Sequence, residues 1–115
     1  MVIQNDTDVI EKQVEMSGAK DVSMQILIGT DDGSSNIIMR RFKIRPAGHT
    51  PHHQHNYEHV VKVLSGKGIA IDESGNEHKL QPGQSLFIKP NDLHQFKNPY
   101  HEPFEFLCII PNPDK

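Results

Sequence analysis

The stretch Gly48-His49-Thr50-Pro51-His52-His53-Gln54-His55-Asn56-Tyr57-Glu58-His59 holds five of the chain's eight histidines. Neutral imidazole is the commonest metal-binding side chain, so this density points to a ligand set. Backbone geometry sorts its members. In extended chain successive side chains alternate faces, which puts His53 and His55 on one side and His52 and Gln54 on the other. His59 has the parity of the first pair, but a straight strand carries it roughly 13 Å past His55 at ~3.3 Å per residue. Metal–imidazole bonds are about 2.1 Å, so a shared ion requires a bend. Asn56-Tyr57 is the place for it, Asn being a good turn former. His59 then opens the next strand and faces back toward His53 and His55. The competing reading is a histidine-rich surface loop.

The flanks read as strands. On one side, Ile37 to Arg45 alternates, with Ile38, Arg40, Phe42 and Ile44 on the face expected to be buried, before Pro46-Ala47-Gly48 turns the chain. An arginine on a buried face is rarely left unpaired. Arg40 therefore pairs with a carboxylate, lines a ligand cavity, or is exposed by a shifted register. On the other side Glu58–Leu64, Ile69–Ile71, Glu77–Leu80, Ser85–Ile88, Leu93–Asn98 and Phe104–Ile110 are short strands between turn formers such as Ser65-Gly66-Lys67-Gly68 and Gln81-Pro82-Gly83-Gln84. Upstream, Val22–Ile28 is a strand and Gly29–Ser35 a loop. Eight or nine short strands with turns every 8–12 residues and no convincing helix predict an all-β sandwich or barrel.

Composition agrees. One domain fits 115 residues, and eight glycines and eight prolines spread along the chain favour many turns. Residues 1–20 are polar and weakly patterned and are expected to be an N-terminal arm, residues 8–15 being either a short strand or a frayed segment, with the barrel over 21–115. A net charge of -3 offers nothing to nucleic acid or an anionic membrane. No apolar run approaches the ~20 residues of a membrane span. The single Cys108 cannot form an internal disulfide, and a cytoplasmic location is the default expectation.

With these pieces placed, the chain resembles small single-domain cupins. The family's first motif is a Gly, a His-x-His pair, an acidic residue and a closing Gly; here it runs Gly48 … His53-Gln54-His55-Asn56-Tyr57-Glu58-His59 … Gly66. The second, a Pro-Gly turn followed by Pro and His, runs Pro82-Gly83 … Lys89-Pro90-Asn91-Asp92-Leu93-His94-Gln95-Phe96. The likeness covers roughly residues 36 to 111. It implies a cupin barrel (a jelly roll or double-stranded β-helix) and adds His94 as fourth ligand. Many cupins carry a glutamate where this chain has His59, so the sequence is more similar to a subgroup with four histidine ligands, often found with manganese. A bulge that swapped faces would instead bring in Glu58. With His59 as ligand, Glu58 can still orient an imidazole from outside the ligand set.

The resemblance implies one divalent transition metal per chain, manganese or iron, with zinc, nickel or copper compatible with imidazole. Four neutral ligands leave the ion its full charge. Phe106, Cys108 and Ile110 share one face of the last strand; with Arg40, Phe42 and Phe96 they are expected to line a substrate cavity. Cys108 is either a small core residue or a redox or substrate-contact group. His49 and His52 are expected at the rim, Tyr57 in packing, and His78 and His101 in solvent. The expected function is a mononuclear manganese or iron oxygenase, dioxygenase-like, acting on a small molecule. The alternatives are a non-catalytic small-molecule or metal-binding module and a metal-dependent isomerase or lyase. The last lacks a base, because no acidic residue with inward parity stands near the ligands. The resemblance also implies a homodimer, with the N-terminal segment free to cross to a partner.

Overall fold

Strands form where apolar residues alternate with polar ones between turn formers, and the computed structural model, which describes residues 1–115, has nine of them. They are β1 (Lys12–Gln13), β2 (Lys20–Ile28), β3 (Ile37–His49), β4 (His59–Ser65), β5 (Gly68–Ile71), β6 (Glu77–Leu80), β7 (Ser85–Ile88), β8 (Gln95–Lys97) and β9 (Phe104–Pro111). Two single turns of 3-10 helix, Asp6–Asp8 and Thr30–Asp32, are the only helical residues. No helix is long and apolar enough to cross a membrane.

All pairings are antiparallel, in the order β6-β5-β8-β3-β9-β4-β7, with β2 against β3 and β1 against β2. One strand joins the two halves of this curled sheet. Residues Ile37 to Ile44 of β3 pair with β9, while His49 at its far end pairs with Lys97 of β8. The corner between them is a bulge. Across β2, the partner of Val22 is Ile44 but that of Lys20 is His49. The extra residues are absorbed at Ala47, in the left-handed region at φ 68°. Pro46-Ala47-Gly48, expected to end the strand, therefore bends it without ending it. Buried Asn98 holds the corner: its amide donates to the carbonyls of Ile44 (2.9 Å) and Glu102 (2.7 Å), and its backbone exchanges hydrogen bonds with Ala47 and Gly48.

Inward residues stack in rows across the strands. Phe42 pairs with Phe106 and Phe106 with Val63; one row along, Arg40 pairs with Cys108, Cys108 with Val61 and Val61 with Leu86. Ile44, Phe104, Phe106, Val61 and Val63 are at most 2% exposed and form the centre of the core. Phe42 stacks on Phe106 at 5.3 Å and Phe96 packs on Phe106 at 4.7 Å. That apolar floor supports the site above it.

The N-terminal segment lies on its own barrel. β1 pairs with β2, Gln4 donates to Leu27 O, and Gln25 donates to the carbonyls of Asp6 and Val9. Asp6 pairs with Arg41, and Glu11 with Lys43 and Arg45. Basic residues on the outer face of β3 thus draw down the acidic arm that the sequence suggested could reach a partner.

Candidate metal and substrate site

The histidine stretch keeps strict alternation although it is not a regular strand. From His52 to His59 the even positions are exposed and the odd ones half-buried or buried, and the backbone bends at Asn56 and Tyr57. The stretch is pinned to the turn before β8. His53 and His94 exchange backbone hydrogen bonds (3.1 and 2.9 Å), and Asn91 N–H donates to His55 O. Thr50 adds a second clamp, its hydroxyl accepting from Phe96 N–H at 2.9 Å.

These constraints gather His53, His55, His59 and His94. Ring centres are 4.5 Å apart for His53–His55, 5.1 Å for His53–His94, 5.3 Å for both His55–His59 and His59–His94, and 6.5 Å for His55–His94. With metal–nitrogen bonds of about 2.1 Å, imidazoles sharing one ion have centres roughly 4.5–6.5 Å apart. The rings meet that condition, whereas their donor atoms do not close into a finished ligand cage as they stand.

Electrostatics favours uncharged rings. Burial, with smaller contributions from neighbouring imidazoles and the Arg40 guanidinium, lowers His53 to about 4 and His59 to about 3. Burial also lowers His55 and His94. His94 Nδ1 lies 2.8 Å from the Asp92 carbonyl, which fixes the tautomer that donates there and leaves the Nε2 lone pair free. Nδ1 of His59 is buried without any hydrogen-bond partner. Neutral, desolvated imidazoles, one of them with an orphaned nitrogen, suit a divalent cation.

The four rings line one part of a cavity of about 240 Å³. The remaining wall is Val14, Met16, Val22, Met24, Arg40, Phe42, Thr50, Pro51, Tyr57, Phe96, Phe106 and Cys108. No carboxylate reaches it. A more open hollow of about 330 Å³ beside the β5–β6 hairpin shares His94 and Phe96 but none of the other three imidazoles.

Residues 40–110 match the family model described as Cupin domain. The chain belongs to the cupin family. Among solved structures, the polyketide cyclase RemF from Streptomyces resistomycificus superposes with a TM-score of 0.92 at 31% identity, over 96% of this cupin and 79% of that chain. Auxin-binding protein 1 from Arabidopsis thaliana is 36% identical over 59% of this chain and 38% of its own length. A 1-methylthio-D-xylulose 5-phosphate methylsulfurylase from Rhodospirillum rubrum is 31% identical over 63% of this chain and 46% of its own. The cupin thus spans less than half the length of these two curated relatives.

Of the residues expected at the cavity, Arg40, Phe42, Phe96, Phe106 and Cys108 line it. Ile110 does not. It lies one row further along β9, opposite Ile38, and packs in the core. Glu58 does not orient an imidazole: with parity opposite to His59 it is exposed, and the His59 nitrogen it could have served has no partner. His52, His78 and His101 are exposed, and His78 pairs with Asp72 at 2.7 Å. Tyr57 stacks on His55 at 5.0 Å. Sequence reasoning missed Val14, Met16, Val22, Met24, Thr50 and Pro51. Val22 and Met24 share a strand face, which is a usable signal; nothing local marks Val14 or Met16, which arrive from the arm.

Proposed function

We propose that this cupin is a metal-dependent enzyme that binds one divalent transition ion on His53, His55, His59 and His94 and acts on a small, oxygen-bearing, largely apolar molecule. The observation that carries this reading is the placement of four uncharged imidazoles beside an aromatic, carboxylate-free wall. Imidazole accommodates several first-row ions, and the four-histidine resemblance favours manganese or iron. When bound, such an ion acts as a Lewis acid toward a carbonyl or oxyanion.

The chain's own residues do the rest. Phe42, Phe96, Phe106 and Met24 exclude water and hold a flat or folded carbon skeleton. Burial raises Tyr57 above the ordinary phenol range, so at neutral pH it is a hydrogen-bond donor for a carbonyl oxygen. The favoured reaction is ring closure of an enolisable polycarbonyl compound, supported by the whole-chain likeness to a polyketide cyclase. A second reading, oxygen-dependent oxidation of a similar molecule, is favoured by the absence of any carboxylate base from the cavity wall.

The test begins with elemental analysis of untagged protein purified without chelator, beside His59→Ala. Near one equivalent of manganese or iron, lost in the variant, is expected. The loaded protein is then offered a linear tri-β-ketone such as diacetylacetone. A product lighter by one water with no oxygen uptake supports ring closure, and oxygen uptake supports oxidation. Metal in neither protein after reconstitution overturns the metal reading, and binding without turnover leaves a binding module. We extend the proposal to a homodimer, checked by light scattering: a solution mass equal to the 13.0 kDa of one chain overturns it.

A further inference from the structure

The chain has three arginines, and two are matched with acids: Arg41 with Asp6 and Glu105, Arg45 with Glu11. Arg40 has none. It is on the cavity wall, and its one side-chain hydrogen bond is a 3.2 Å contact from Nη2 to Cys108 Sγ, a weak acceptor. Its Nε is buried with no partner, and its carbon lies 4.9 Å above the Phe42 ring. A guanidinium cannot shed its charge, and a charge drawn out of water without a counter-ion is costly. No ion pair, backbone carbonyl or side-chain oxygen of the chain compensates this one.

We infer that Arg40 anchors an anionic group, so that the molecule taken by the proposed site is a small aromatic or unsaturated monocarboxylate. Planarity favours carboxylate, because the guanidinium fork matches it bidentately. Arg40 is the only arginine or lysine on the wall, so its one guanidinium fork receives one such carboxylate. Phe42, Phe96 and Phe106 supply faces for an unsaturated body, and about 240 Å³ limits its size. The inference deepens the function proposed above and uses the same cavity, but it assigns the charge to a residue that is not a metal ligand.

Benzoate and its neutral isostere benzamide are the probes, titrated calorimetrically into metal-free and zinc-loaded protein. The expected result is benzoate binding to metal-free wild type at least about tenfold tighter than benzamide, the scale of one charge-assisted hydrogen-bonded contact. Arg40→Gln abolishes that preference and Arg40→Lys keeps part of it, each variant first shown by circular dichroism to retain its strands. A readout that needs no variant is the Arg40 Nε–H nitrogen-proton resonance, which shifts with benzoate and not with benzamide. Equal affinity for the two probes overturns the inference, as does undiminished benzoate preference in folded Arg40→Gln. Benzoate binding only to loaded protein, indifferent to Arg40, overturns it while leaving the metal reading intact. A benzoate preference in protein that never takes up metal supports Arg40 while the metal reading falls.

Discussion

A thiol beside a guanidinium is ordinarily an activated nucleophile, since a nearby cation favours thiolate. At Cys108 two effects compete at close range. Arg40 lies 3.2 Å from the sulfur and pulls the pKa down, but the residue is only 4% exposed and burial dominates, raising it above the usual thiol range. The thiol is therefore protonated at neutral pH and sterically shielded. Reaction with a disulfide reagent at pH 8 should be at least about tenfold slower in the folded protein than in urea, because both thiolate fraction and access fall. Thiol release followed by absorbance checks this, and comparable rates would mean that the cavity opens readily to reagents. At the histidines the two effects reinforce one another: within a set of rings no more than 6.5 Å apart, His53 and His59 stay neutral because desolvation and repulsion from neighbouring imidazoles act in one direction.

Among the elements, the bulged corner of β3 does most to place the site, because it sends one strand from the β9 half of the sheet to the β8 half and delivers the chain to Thr50 and His53. Asn98 closes that corner with two donated hydrogen bonds while its Oδ1 accepts from Tyr100 N–H. Asn98→Ala would leave the buried Ile44 carbonyl without this donor. At about 1 kcal/mol per hydrogen bond, and more for a buried group left unmade, it should cost about 3 kcal/mol. Urea unfolding should show a lower midpoint with an unchanged slope; a loss under about 1 kcal/mol would mean that water replaces the amide. This corner also marks where sequence ceases to be enough. Strand positions were legible because alternation and turn residues are local, and Glu77–Leu80 and Ser85–Ile88 fall where those signals place them. So was the approach of His53, His55 and His59, which needs only strand parity and one bend. The extension of β3 through Pro46-Ala47-Gly48 was not, because its hydrogen bonds go to Asn98, about fifty residues away. The arm was not either, because Val14 and Met16 reach the cavity only through pairing with β2.

Across the whole molecule, four imidazoles held neutral make stability depend on pH, and the sign follows from where the protons go. In the unfolded chain histidines titrate near 6.5, whereas folded His53 and His59 hold out to about 4 and about 3, with His55 and His94 also lowered. Between pH 6.5 and about 3 the unfolded state therefore binds more protons than the folded one, and stability falls as pH falls. The contribution is complete above pH 6.5, falls steadily below it, and is fully lost once the folded groups have titrated. For metal-free protein, the urea midpoint measured by circular dichroism should be level from pH 8 to 7 and then drop steadily through pH 6, 5 and 4. His59→Phe, which removes the most strongly lowered group and fills its place with an apolar ring, should flatten that drop while leaving the fold intact. Added divalent metal acts on the same equilibrium, since only neutral imidazoles of the folded state bind it well. The midpoint gained from metal should accordingly persist to about pH 5 and be lost as pH falls on through about 4 and about 3, where folded His53 and His59 take up protons. A metal gain already lost by pH 6 would place the ion on imidazoles of ordinary basicity and not on this desolvated set.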